Sequence, residues 1–294
     1  MVARVGAYRK TRAELLAAIH ADPSDLAARA VYADLLQEAG EARGEFIALQ
    51  LAGNATQREK TLLKEYRDRW LGPLASLLGR SSSRFANGFL HSAALAKPVR
   101  WMPELLDHPE LRTVEVLDVV ALGASPDAAP QTAELLLHLP KLQELAIDGR
   151  VIAATALCTK HHPLRRLSVK LPSVVSLLGV LQLHTFSGLR SLRVSGMDPG
   201  PEALVRLASV VPLESFECDL AGGIERDAIA IGKLANIVAT LVVTGGWGRL
   251  RVTRDGDKLL VTTQNGRRDP RFLDRALSAL VGALGRDRVT VKRG

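Results

Sequence analysis

The sequence predicts an α/β chain. A helical module comes first, then parallel strands alternating with return helices, then a hairpin, helix and strand. Three observations carry this. The first is an apolar phrase, Leu-x-x-Leu-x-Leu in loose form. It recurs at Leu90-Ala93-Leu95, Leu111-Val114-Val116, Leu142-Leu145-Ile147, Leu164-Leu167-Val169, Leu189-Leu192-Val194, Leu213-Phe216-Cys218 and Val238-Leu241-Val243. Its starts lie 21, 31, 22, 25, 24 and 25 residues apart. The second is a series of amphipathic helical patterns before residue 71, punctuated by cap and stop signals. The third is a pair of alternating stretches joined at Asp255-Gly256.

The helical module is expected over residues 1–83. Residues 12–20 place Leu15, Ala18 and Ile19 on one helical face. Asp22-Pro23-Ser24-Asp25 reads as the next helix start, with Asp22 as cap, Pro23 in the first helical position and Asp25 in the first turn. Leu26, Ala30, Ala33, Leu35 and Leu36 give that helix its apolar surface, and Gly40 ends it. A third helix is expected from about Glu41 to Leu51, with Phe46, Ile47 and Leu49 facing inward, and a charged fourth from about Gln57 to Trp70. Asp34, Glu38, Arg43 and Glu45 read as charge-assisted contacts between helices, with Tyr32, Asp34 and Arg43 as the expected latch.

Several phrases here carry a resemblance: Ala21-Asp22-Pro23-Ser24-Asp25, Arg29-Ala30-Val31-Tyr32-Ala33-Asp34-Leu35-Leu36, Glu38-Ala39-Gly40 and Arg43-Gly44-Glu45-Phe46-Ile47-Ala48-Leu49-Gln50. In this order, over about residues 12–52, they resemble the repeat-companion domain, a small helical module that precedes leucine-rich repeats in myxobacterial and planctomycete proteins. Trp70-Leu71-Gly72-Pro73-Leu74 and Gly88-Phe89-Leu90 resemble the usual lead into the repeats. The family usually carries Trp where Leu36 stands. The resemblance implies a bacterial setting and a repeat fold, and it supplies no catalytic residues.

Over residues 84–246, a period of roughly 20–29 residues with this phrase is the signature of a leucine-rich-repeat solenoid. Each phrase is expected to form a short strand with its apolar positions inward and the intervening residues exposed. The exposed set is Thr113, Glu115 and Leu117; Glu144, Ala146 and Asp148; Arg166, Ser168 and Lys170; Ser191, Arg193 and Ser195; Ser215, Glu217 and Asp219; Thr240, Val242 and Thr244. Stacked, they form a basic band at Arg166, Lys170 and Arg193 between acidic bands. Residues 133–137, 174–178 and 201–207 are expected in return helices, and 123–130 as an inserted loop. The Asn of regular repeats is missing, so the repeats are irregular.

Residues 247–294 are expected to cap the repeats, since a terminal repeat otherwise exposes core. The helix starts at Asp269-Pro270 with Phe272, Leu273, Leu277, Leu280 and Val281 on its apolar side, and Val289 and Val291 mark a last strand. From residue 245 onward there are 12 Lys/Arg against 5 Asp/Glu, while the rest of the chain is nearly balanced. Arg249, Arg251, Arg254, Lys258, Arg267, Arg268, Arg271 and Arg275 belong to this excess. Nucleic-acid contact is therefore an alternative. Only Trp247 and Phe272 interleave as aromatics, and no nucleic-acid motif appears.

No phosphate-cradling glycine loop, dinucleotide fingerprint or nucleophile elbow occurs. Cys158, His161 and His162 lack a second ligand pair. Cys218 fills an apolar slot and reads as a small buried hydrophobe. No secretory leader or membrane span is visible. The expectation is a cytoplasmic, non-enzymatic adaptor or regulator without metal or cofactor, binding a protein through Glu115, Glu144, Asp148, Arg166, Lys170, Arg193, Glu217 and Asp219. A narrower form of the same expectation is an inhibitor or immunity-type binder that masks another protein.

Overall fold

The computed structural model describes residues 11–53, 56–80, 82–95, 103–121, 128–151, 163–171, 188–196, 201–219, 224–245, 248–265 and 270–293. The chain divides into two units, residues 1–116 and 117–294. Four helices begin the first: α1 (Arg12–Ala21), α2 (Leu26–Glu38), α3 (Ala42–Leu51) and α4 (Gln57–Leu71). Thr11 and Glu14 close a capping box on α1. The cap of α2 is Asp25, which accepts from the Ala28 amide at 2.9 Å, rather than Asp22. Asp22 instead closes α1 and accepts from the Ser24 amide at 2.9 Å. That local turn delays the helix start by three residues.

The core of this unit gathers Leu15, Ile19, Tyr32, Ala33, Leu36, Ile47 and Phe89. Leu49, expected inward, is half-buried. Helices α2 and α3 meet where Gly44 has no side chain; a Cβ there would stand 2.6 Å from the Ala33 carbonyl oxygen. Beyond α4, β1 (Arg84–Ala86) and β2 (Phe89–Ala94) form an antiparallel hairpin. Ala86 pairs with Phe89, leaving Asn87 and Gly88 as the turn, both at positive φ (49° and 86°). This is the type I′ pattern favoured by Asn-Gly. The first apolar phrase therefore lies on a hairpin strand, with Leu90, Ala93 and Leu95 buried.

Side chains of α2 and α3 hold this turn. Arg29 donates to the carbonyls of Ala86 and Asn87 at 2.9 and 2.8 Å, and Arg43 to that of Gly88 at 2.7 Å. Gln50 accepts from the Gly88 amide at 2.7 Å. The expected Tyr32–Asp34–Arg43 latch does not form. Asp34 is exposed, and Arg43 pairs with buried Glu110 at 2.7 Å. The Arg43 guanidinium also lies 5.1–5.2 Å from the ring centres of Phe89 and Trp70, which directs it toward the hairpin. A short helix α5 (Pro103–Leu106) and a 3₁₀ turn (Pro109–Thr113) follow. Thr113, expected exposed, is buried because that turn breaks the alternation, and its hydroxyl donates to the Leu90 carbonyl at 2.9 Å.

The unit boundary falls in β3 (Val116–Asp118). After it come α6 (Ala128–Leu137), β4 (Glu144–Asp148), β5 (Arg166–Leu171), β6 (Ser191–Gly196), α7 (Pro201–Val210), β7 (Ser215–Asp219), α8 (Ile224–Ile237), β8 (Thr240–Gly245), β9 (Gly248–Asp255), β10 (Lys258–Asn265), α9 (Pro270–Leu284) and β11 (Val289–Arg293). Strands β3 to β11 lie in chain order in one sheet. From β4 to β8 each pairs parallel with the next.

The apolar phrase explains the register. Leu145, Leu167, Leu192, Phe216 and Leu241 align in one row, and Ile147, Val169, Val194, Cys218 and Val243 in a second. All ten are buried. Burying one such side chain contributes about 1.5–3 kcal/mol, several times an exposed ion pair. The inward face therefore fixes the register and leaves the outward face free to vary. Helices α7, α8 and α9 pack side by side, and α8 also packs on β8 and β9.

Leu117, expected outward, is buried, because β3 starts late and turns Leu117 and Val119 inward. Helix α6 begins at Ala128, inside the expected loop. Residues 174–178 lie outside the described residues, as do 122–127. The last hairpin pairs Asp255 with Lys258, so its two turn residues are Gly256 and Asp257, one position later than expected. Gly256 takes φ +58°, as a glycine-first tight turn requires. Strand β11 then pairs parallel with β10. Val289 is half-buried and Val291 exposed, so this edge strand contributes little core.

Candidate partner-binding face

The outward side of the C-terminal sheet is built by the same register. One row runs Glu144, Arg166, Ser191, Ser215 and Thr240; the next Ala146, Ser168, Arg193, Glu217 and Val242; beyond them Asp148, Lys170 and Ser195 align, and Asp219 aligns with Thr244. The strands bring Glu144, Asp148, Arg166, Lys170, Arg193, Glu217 and Asp219 onto one surface. Glu115 belongs to the N-terminal unit, where it is half-buried with a carboxylate oxygen 3.7 Å from His91 Nδ1.

The acids on this face are engaged. Glu144 accepts from Arg166 at 2.7 Å. Glu217 is shared by Arg193 at 3.8 Å and Arg249 at 3.5 Å. Asp219 accepts from the Thr244 hydroxyl. Asp148, expected exposed, is buried, because Arg150 folds back on it through two side-chain hydrogen bonds of 2.9 Å. The Arg150 hydrogen bond is the main reason its carboxyl titrates below the ordinary carboxylate range, with burial acting in the opposite sense. Val242, also expected exposed, is buried between Glu217 and Arg251, its neighbours in register. Long charged side chains cover apolar neighbours with their stems in this way.

The bases reach solvent even where they are paired. Arg166, Lys170 and Arg193 are exposed. The antiparallel β8–β9 pair continues the face, aligning Thr244 with Arg249 and Val242 with Arg251. Arg251 aligns with Thr262, and Thr262 with Lys292. Arg249, Arg251 and Lys292 thus belong with the three central bases, giving the face more bases than acids. Reading residues 247–294 as a separate cap hides this. The register pairs Gly245 with Gly248, and it is this antiparallel pairing that carries the face onto β9.

At the starts of β5 to β7 an open cavity of about 890 Å³ is lined by Arg165, Arg166, Arg190 and Glu214 among others. Arg190 reaches Glu214 at 3.5 Å. Other C-terminal bases serve the fold. Arg254 donates to the Asn236 carbonyl at 2.6 Å, and Arg288 to that of Asp257 at 2.9 Å. Arg267 and Arg268 lie outside the described residues, as do Trp247, Cys158, His161 and His162. Nothing is described of the Arg271 and Phe272 side chains. Cys218 is buried within its apolar row. Among the described residues, no three His, Cys, Asp or Glu side chains converge as metal ligands, and no helix is long and apolar enough to cross a membrane.

No protein-family model matches the chain, and neither a curated protein nor a solved structure matches it.

Proposed function

We propose that the chain is a non-enzymatic, cytoplasmic binding protein of adaptor or regulator type, and that the outward face of its C-terminal sheet holds an acidic surface of another protein. One observation carries this reading: Arg166, Lys170, Arg193, Arg249, Arg251 and Lys292 outnumber the four acids of the same sheet face, and the guanidiniums that pair with those acids remain solvent-exposed. A partner supplying carboxylates meets a net excess of cations, and such complementarity sets specificity and association rate. The recurring phrase and its in-register parallel strands support reading the middle of the chain as irregular leucine-rich repeats, following a repeat-companion module. An inhibitor that masks its partner is a narrower form of the same reading.

The test is affinity capture from bacterial extract with the unaltered chain and with Arg166→Glu/Arg193→Glu. The double variant is expected to lose the proteins that the unaltered chain retains, with its circular dichroism unchanged. Equal capture by both overturns the reading. Arg249 and Arg251 favour a second reading, contact with nucleic acid. Titration with duplex and single-stranded DNA separates the two, because phosphate binding weakens steeply as salt rises.

A further inference from the structure

A cavity of about 740 Å³ lies in the N-terminal unit, lined by α1, α2, α3, α4 and the 3₁₀ turn. Its size falls within the roughly 300–1,000 Å³ of small-molecule sites. The partner-binding reading leaves it unused.

Both carboxylates in its wall are taken. Glu41 pairs with Arg12, and Glu110 with Arg43 at 2.7 Å. What remains are donors. Arg69 is exposed and has no partner among the described residues. The Tyr66 hydroxyl and the Trp70 indole N–H likewise have no hydrogen-bond partner among them. His108 accepts from the Glu110 amide through Nδ1 at 3.3 Å, so its Nε2 carries the proton and donates. Tyr66 and Trp70, one turn apart on α4, form an aromatic wall with ring centres 5.9 Å apart and planes 18° apart.

Charge narrows the ligand. Two cations in the wall are neutralised and Arg69 is not. His20 and His108 both titrate below the ordinary imidazole range. Burial is the main cause for each; Arg112 adds to it at His20, and Arg43 at His108. Near neutral pH the two rings are uncharged. A cationic ligand would find no free carboxylate, and a multiply charged phosphate would find one uncompensated cation. We propose that this cavity binds a small aromatic carboxylate, its carboxylate on Arg69 and its ring against Tyr66 and Trp70.

Benzoate is the probe, with benzamide and benzylamine as neutral and cationic counterparts, each titrated into the full chain by ligand-observed NMR. Benzoate is expected to saturate with a Kd of about a millimolar, as suits so few atoms. Benzamide should bind distinctly more weakly, and benzylamine not at all. Arg69→Glu, an exposed substitution, should weaken benzoate about tenfold. Absence of saturation by about 10 mM benzoate, where a millimolar site would be nearly full, overturns the proposal. So does equal binding of benzamide by the unaltered chain, or unchanged benzoate affinity in Arg69→Glu.

Discussion

In the N-terminal unit, the guanidiniums of buried Arg29 and half-buried Arg43 hold the carbonyls of one β-turn. In the C-terminal unit, the two inward rows through Leu145 and Ile147, as far as Val252 and Leu250 on β9, carry no charged side chain, and most charges stand on the opposite face. The first arrangement specifies one structure through a few costly polar contacts. The second specifies it through many interchangeable apolar ones. Substituting a charge should therefore damage the fold in the first unit and the binding surface in the second.

The largest effect is expected at Arg43. Arg43→Met leaves Glu110 buried beside its remaining donor, the Leu90 amide. Stranding one member of a buried ion pair costs about 3–5 kcal/mol. Urea unfolding should show the loss, and adding Glu110→Gln should recover part of it. A double variant as unstable as the sum of both singles would break the comparison, because independent sites add. Next is Gly88→Ala. Its Cβ would overlap the Ile47 side chain at a position held at positive φ. Strain and overpacking together put the cost at about 2–4 kcal/mol. A cost under about 0.5 kcal/mol, typical of a surface change, would show that α3 and the turn separate freely.

On the outward face the sign of the comparison reverses. Arg166 is exposed and its pair with Glu144 is a surface pair. Arg166→Glu should change stability by no more than about 1 kcal/mol while reducing partner capture. A loss of several kcal/mol would make that pair a fold element and remove the distinction between the units.

The same contrast explains what could be read from the sequence. Leu167, Leu192 and Leu241 announce the C-terminal sheet because each repeats a local pattern. Burial follows from alternation alone. Arg29 and Arg43 reach carbonyls 45 to 58 residues away, and no local pattern encodes that distance. The hairpin itself was legible in Asn87-Gly88, a strong turn signal, but the apolar phrase that follows it reads equally well as a parallel repeat. Among the outward residues, alternation placed Arg166, Lys170 and Arg193 on the exposed side. It failed at Leu117, where a 3₁₀ turn shifts the phase, and at Asp148, where a neighbour two residues on covers the carboxylate. The cavity beside Arg69 draws on residues from four helices and a turn, so no single stretch reveals it.

The smallest effect is expected at Asp148, and it tests whether the outward face is energetically as quiet as proposed. Its carboxyl titrates below the ordinary range, chiefly through the hydrogen bond from Arg150. A carboxyl depressed in the folded chain binds its proton more readily when unfolded. Its contribution is therefore complete above the ordinary value near pH 4 and is lost as pH falls through the lower folded value. Arg150 is half-exposed, so the contribution is at most about 1 kcal/mol. Asp148→Asn keeps an acceptor for the Arg150 amide and removes the charge. Between pH 7 and 5 the variant should be less stable by that small, constant amount, and below about pH 4 the two stability curves should converge. Convergence measured by urea unfolding across this range would assign the acid sensitivity to this pair. Parallel curves down to pH 2 would show that Arg150 adds nothing to folding and that Asp148 is buried by packing alone.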